Sequence, residues 1–136
     1  MKTKLSIAAV GLGMLLASVP AIAHHSFAAE FDAAKPIKLT GSVTKVEWMN
    51  PHTYFYIDVK DEKGTVTNWG LEMGSPNGLM RQGWTRNSMK VGDEISVEGS
   101  MAKDGSKIAN ARTVTLGDGT RLFAASSQTT ADATAK

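Results

Sequence analysis

All three histidines of this chain sit in two places: His24 and His25 together, and His52 alone. The pair directly follows Ala21-Ile22-Ala23, a small-residue stretch of the kind signal peptidase accepts. Cleavage after Ala23 would make His24 the first residue of the finished protein. A terminal histidine chelates through its α-amine and its ring together. The amine has an ordinary pKa of about 7.7–8.0, so a metal can displace its proton near neutral pH. One further imidazole, from His52, completes a planar, nitrogen-rich set suited to Cu(II), with His25 able to replace either ligand. The residue types therefore predict a site for copper or a similar divalent ion at His24, His25 and His52. Residues 24–36 must then fold back to the start of the second strand, and an extended arm of that length reaches about 40 Å. A thioether variant would use Met49 and Met73 with Trp48 and His52, but Met73 falls at an inward position and reads as core filler. Set against both is the plainer expectation that the histidines are solvated or hydrogen-bond a turn.

Other chemistries are poorly supplied. The chain has no cysteine, which excludes disulfides, thiolate metal sites and cysteine nucleophiles. Ser26, Ser75 and Ser88 have no histidine and carboxylate placed in sequence to activate them. Glu47, Asp58 and Glu72 are too scattered to suggest an acid/base pair across a cleft. The expectation is a non-enzymatic protein.

The 136 residues point to one domain. Lys2 and Lys4 precede an uncharged stretch from Leu5 to Val19, and Pro20 ends it. This is the layout of a secretory signal over residues 1–23, too short for a membrane span of about 20 residues. Export to the periplasm or beyond follows, with no membrane span in the mature form. Removing the signal leaves 13 basic against 13 acidic residues. A neutral domain lacks the clustered basic surface that nucleic acid requires.

The elements that must position these residues are mostly strands. Residues 24–36 form an N-terminal arm in which Phe27 and Phe31 share a face if helical. "IKLTGSVTKVEW" reads as a strand with a bend or bulge near Gly41. "HTYFYIDV" alternates strictly and is followed, after "DEKG", by "TVTNWGLEM". A three-residue loop with left-handed Gly64 pairs Asp61 with Thr65. That register turns Thr53, Phe55, Ile57, Val59, Thr67, Trp69, Leu71 and Met73 inward, because a one-residue slip would expose Trp69 and Leu71. Ser75 caps a short helix with Pro76 at its first position. "EISVEGS" and "IANARTVTL" supply two more strands, and "GDGTRLF" adds a short hairpin strand. The tail, residues 124–136, is small, polar and expected to be disordered.

Three strands, a helical connector and two strands predict an all-β chain. The expected architecture is a small five-stranded OB-like barrel over residues 37–123, with one short helical connector. An immunoglobulin-like sandwich wants about seven strands. In a barrel of this kind the outer face of strands two and three binds ligands. Tyr54, Tyr56, Asn68 and Glu72 fall on that face, and Arg81, Trp84 and Arg86 are placed to line one edge. The second expectation is thus a metal-free adaptor for a peptide, glycan or partner protein. The plainer alternative buries the tyrosines under Phe27 and Phe31 of the arm.

The stretches "HHSF", "GSVTKVEWMNPH", "LEMGSPNGLMRQGW" and "MKVGDEISVEG" together resemble an uncharacterised family of small exported bacterial proteins, over His24 to about Phe123. The resemblance implies an OB-like barrel and export, and carries over no catalytic residue. Export makes a measurable prediction. The intact mass of the protein recovered from the periplasm should correspond to a chain beginning at His24, and a mass retaining residues 1–23 would contradict it.

Overall fold

The computed structural model describes residues 27–126. The proposed signal, His24 and His25, and residues 127–136 lie outside that range. A one-turn helix, α1 (Phe27–Glu30), leads into a long strand β1 (Phe31–Glu47). Then come β2 (Tyr54–Lys60), β3 (Val66–Glu72), helix α2 (Pro76–Arg81), β4 (Glu94–Ala102), β5 (Ile108–Thr115) and β6 (Arg121–Phe123).

The five-stranded OB-like barrel expected from strand counting is corrected here. The strands form one mostly antiparallel six-stranded sheet in the order β3-β2-β1-β4-β5-β6, with an additional parallel pairing of β3 with β5. Among the described residues two short helices accompany it instead of one. The difference has local causes. "GDGTRLF" pairs back on β5 as a sixth strand, and the arm, read as separate from the strands, enters β1 at Phe31 and pairs there with Ala102.

β1 pairs with β4 from Phe31 to Ser42 and with β2 from Ser42 to Glu47. Gly41 lies at this hand-over. A Cβ there would stand 2.3 Å from the Asp58 carbonyl oxygen, so only glycine lets β1 pass so close to β2. The bulge itself lies just beyond, between Val43 and Lys45. It leaves Thr44 unpaired and changes which residues face inward. Ile37, Leu39 and Val43 pack towards the core before it, Val46 and Trp48 after it.

The β2–β3 hairpin has the expected register: Tyr54 lies opposite Glu72, Tyr56 opposite Gly70 and Asp58 opposite Asn68. Its loop is closed by the Asp61 N–H donating to the Thr65 carbonyl, with Gly64 at φ 84°. Phe55, Ile57, Trp69, Leu71 and Met73 are buried in the core with Val43, Leu79, Trp84, Ile95, Val97 and Val114. Ser75 caps α2, its hydroxyl accepting from the Gly78 N–H, with Pro76 in the first turn. Packing continues past Phe123. Ala124 and Ala125 are buried, and Ala124 exchanges backbone hydrogen bonds with Arg112 and Gly74.

One inward residue is badly served. Thr53 is fully buried, and among the described residues its hydroxyl has no hydrogen-bond partner. An unsatisfied buried hydroxyl costs about 1–3 kcal/mol. Thr53→Val keeps the shape and a β-branched side chain while removing that group. It should raise unfolding stability by about 1 kcal/mol in urea titration, and a loss of stability would mean the hydroxyl has a partner.

Candidate functional site

The outer face of β1, β2 and β3 carries three cross-strand rows. The first runs Glu47, Tyr54, Glu72, and the second Lys45, Tyr56, Gly70. The third runs Ser42, Asp58, Asn68. The bulge at Thr44 brings Lys45 and Glu47 onto this face. Without it, both would point into the core.

Glu72 is the centre of the first row. It is 6% exposed, yet it carries a carboxylate with two partners. His52 Nδ1 lies 2.9 Å from one oxygen, and the Tyr54 hydroxyl donates to the other at 2.8 Å. Burial pushes the Glu72 pKa above the usual carboxylate value, while the hydrogen bond from Tyr54 and the nearby His52 oppose the rise. The Glu30 carboxylate, reaching in from α1, adds to the rise. Tyr54 is held far above its ordinary pKa by burial first and by its bond to Glu72 second. It therefore stays a phenol and donates.

Tyr56 repeats the arrangement. Its hydroxyl donates to Glu47 at 3.1 Å. Lys45 pairs with the same carboxylate, and its ammonium stands 5.4 Å from the Tyr56 ring centroid. The Lys45 hydrogen bond draws the Glu47 pKa down, and Glu47 draws that of Lys45 up. Asn68 donates from Nδ2 to Asp58 at 2.7 Å and to Thr44 at 3.2 Å. Gly70 leaves a gap that its neighbours fill. A Cβ there would meet Ile108 Cδ1 at 2.8 Å and Tyr56 Cε1 at 3.2 Å. Ile108, on β5, pairs with Gly70 and so joins the edge of the tyrosine face.

Beside Ile108 lies a cleft of about 360 Å3, lined by Ala29, Glu30, Phe31, Ala102, Lys103 and Ile108, with Asp104 and Ser106. One wall is the arm and the other the β4–β5 turn. Lys103 clips the walls together: its N–H donates to the Glu30 carbonyl and its ammonium to the Ala28 carbonyl. Phe27 stacks on Phe31, their centroids 5.7 Å apart, and Phe31 is buried. Both tyrosines stay partly exposed.

Of the residues the sequence singled out, Tyr54, Tyr56, Asn68, Glu72 and His52 come together on or beside this face. Trp84 does not. It is 2% exposed and its indole N–H donates to the Phe123 carbonyl at 2.8 Å, so its ring packs the core instead of lining an edge. Arg81 and Arg86 are exposed on and after α2, and no hydrogen bond or ion pair among the described residues ties them to the tyrosines. Sequence reasoning passed over Lys45, Glu47 and Ile108 as parts of the face. The signal for the first two was present in the apolar residues, which shift from odd positions (Leu39, Val43) to even ones (Val46, Trp48).

The expected metal centre at His24, His25 and His52 falls mostly outside the described residues. Among the described residues no group of three histidine or acidic side chains is placed to hold an ion. His24 and His25 lie outside those residues, and His52 turns its Nδ1 to Glu72. The thioether variant lacks its second sulfur, since Met73 is buried and Met49 exposed.

A family of unknown function, DUF6152, matches residues 12–111, and the chain belongs to it. No curated protein matches the sequence. Among the described residues no helix is long and apolar enough to cross a membrane.

The raised Glu72 pKa has a testable consequence. The folded chain holds this proton more tightly than the unfolded chain, so the term favours folding fully below the ordinary value of 4.5. It is lost as pH rises through the folded value. Glu72→Gln does not titrate. The variant should therefore gain urea midpoint relative to the natural protein as pH rises from about 4 to about 7. A difference that stays constant with pH would contradict the assignment.

Proposed function

We propose that this protein is an exported, non-enzymatic binding module that holds a peptide, glycan or partner protein on the outer face of β2 and β3, without a metal. The observation that carries the reading is the pair of part-exposed tyrosines whose hydroxyls are anchored to carboxylates. Tyr54 is tied to Glu72 and Tyr56 to Glu47. Anchored rings lose little further freedom when a ligand stacks on them, which makes the face preorganised for binding. The adjoining cleft extends it, and Gly70 keeps the strip between Tyr56 and Ile108 low. Binding sites of this kind combine apolar surface with a few fixed polar groups.

The export part rests on the layout of residues 1–23. The non-enzymatic part rests on the hydrogen bonding of His52. Among the described residues its ring is bonded to Glu72 and to no serine or threonine hydroxyl.

Glycan and peptide arrays, followed by chemical-shift mapping of the best hits, test the proposal. Bound ligand should shift the amides of Tyr54, Tyr56, Gly70 and Ile108. Replacing both tyrosines with alanine should abolish the response, whereas alanine at His24 and His25 should leave it unchanged. Shifts confined to another face, or loss of binding on changing His24 and His25, would overturn it.

A further inference from the structure

The connector between β3 and β4 carries charge of one sign. From Met73 to Gly92 it has no acidic residue and three basic ones, Arg81, Arg86 and Lys90. Its backbone is pinned from beneath by Leu79, Trp84 and Met89, all buried in the core. After each anchor the chain returns to the surface: Met80 and Arg81 after Leu79, Arg86 after Trp84, Lys90 and Val91 after Met89. Hydrogen bonds fix the stretches between. The Trp84 N–H donates to the Leu79 carbonyl, the Thr85 N–H to the Ser88 hydroxyl, and the Lys90 N–H to the Asp93 carboxylate.

These three cations are unspent. Elsewhere Lys38 and Arg121 share Glu98, and Lys45 holds Glu47. Among the described residues the side chains of Arg81, Arg86 and Lys90 make no hydrogen bond or ion pair. Apolar side chains stand among them. Met80 is 52% exposed and Val91 69%. Met49, 47% exposed, joins them from the β1–β2 loop. That loop lies at the same end of the sheet, because Thr53 exchanges backbone hydrogen bonds with Met73 and Gly74, where the connector begins.

We propose that this end of the sheet docks on an anionic lipid surface. Arg81, Arg86 and Lys90 meet the phosphates, and Met80, Val91 and Met49 press into the headgroup layer. Each basic side chain near such a surface adds an attraction that fades within a Debye length. Guanidinium groups also pair with phosphate in a bidentate fork. The apolar side chains decide between a membrane and a soluble polyanion, since only a membrane takes them out of water. Three cations and three apolar contacts give reversible adhesion, not a permanent anchor. The tyrosine face is a different surface, so the inference stands independently of the binding-face reading.

The test is co-sedimentation of the purified protein with vesicles. It should sediment with mixed phosphatidylglycerol and phosphatidylcholine vesicles, stay in solution with phosphatidylcholine alone, and be released by added salt. Arg81→Gln with Arg86→Gln should weaken binding by about ten-fold or more. Lys60→Gln with Lys63→Gln removes the same charge at the far end of the β2–β3 hairpin and should leave binding unchanged. Met80→Gln with Val91→Gln keeps every charge and should cost about five-fold. All these side chains are exposed, and unchanged urea midpoints show that the variants are folded. Equal sedimentation with both kinds of vesicle, or equal losses from the two charge-removing pairs, overturns the inference. So does binding to soluble polyphosphate without sedimentation on vesicles, which would assign a polyanion instead.

Discussion

Strand β1 serves two partners, and Ser42 is the residue where it changes hands: it pairs with Glu94 of β4 and with Asp58 of β2. Everything on the outer face follows from how that hand-over is made. Gly41 permits the close pass beneath Asp58, and the bulge between Val43 and Lys45 resets the alternation. Had the strand continued in phase, Lys45 and Glu47 would have entered the core. Burying an unpaired charge there costs far more than a bulge. The bulge lets apolar Val46 and Trp48 turn inward and places an acceptor and a cation beside Tyr56.

The same economy explains the buried carboxylate. Glu72 ends β3 between a phenol and an imidazole, and a buried charge is tolerable only when hydrogen-bonded. Its two oxygens are used by different residues of one segment, His52 and Tyr54. The three side chains therefore hold one another in place. Removing any of them leaves the others poorly partnered, which makes this cluster a rigid end to the face and not an isolated ion pair.

This bonding also bears on why histidine chemistry was a tempting reading. A ring whose Nδ1 points at a carboxylate is arranged as metal ligands often are, but the arrangement is equally that of a side chain fixing its neighbour. What distinguishes them is the rest of the ligand set, and the histidines expected to supply it, His24 and His25, lie outside the described residues. The tyrosines, by contrast, carry their complete environment with them: an anchoring carboxylate each, a glycine between Tyr56 and Ile108, and a cleft at the edge.

The β2–β3 hairpin was legible in the sequence because its register depends on neighbours. Alternation over "HTYFYIDV", the left-handed Gly64 and the cost of exposing Trp69 and Leu71 leave one pairing. The cap at Ser75-Pro76 was legible for the same local reason. Partner choice between distant segments was not. Nothing near residue 31 announces Ala102, and nothing near Ile108 announces Gly70, so the expected barrel gave way to a six-stranded sheet. Trp84 looked like a ligand-binding edge until packing buried it against the carbonyl of Phe123. Alternation and turn chemistry act over a few residues and are written in order along the chain. Which glutamate meets which tyrosine depends on strands brought together across the sheet, and only the folded structure decides that.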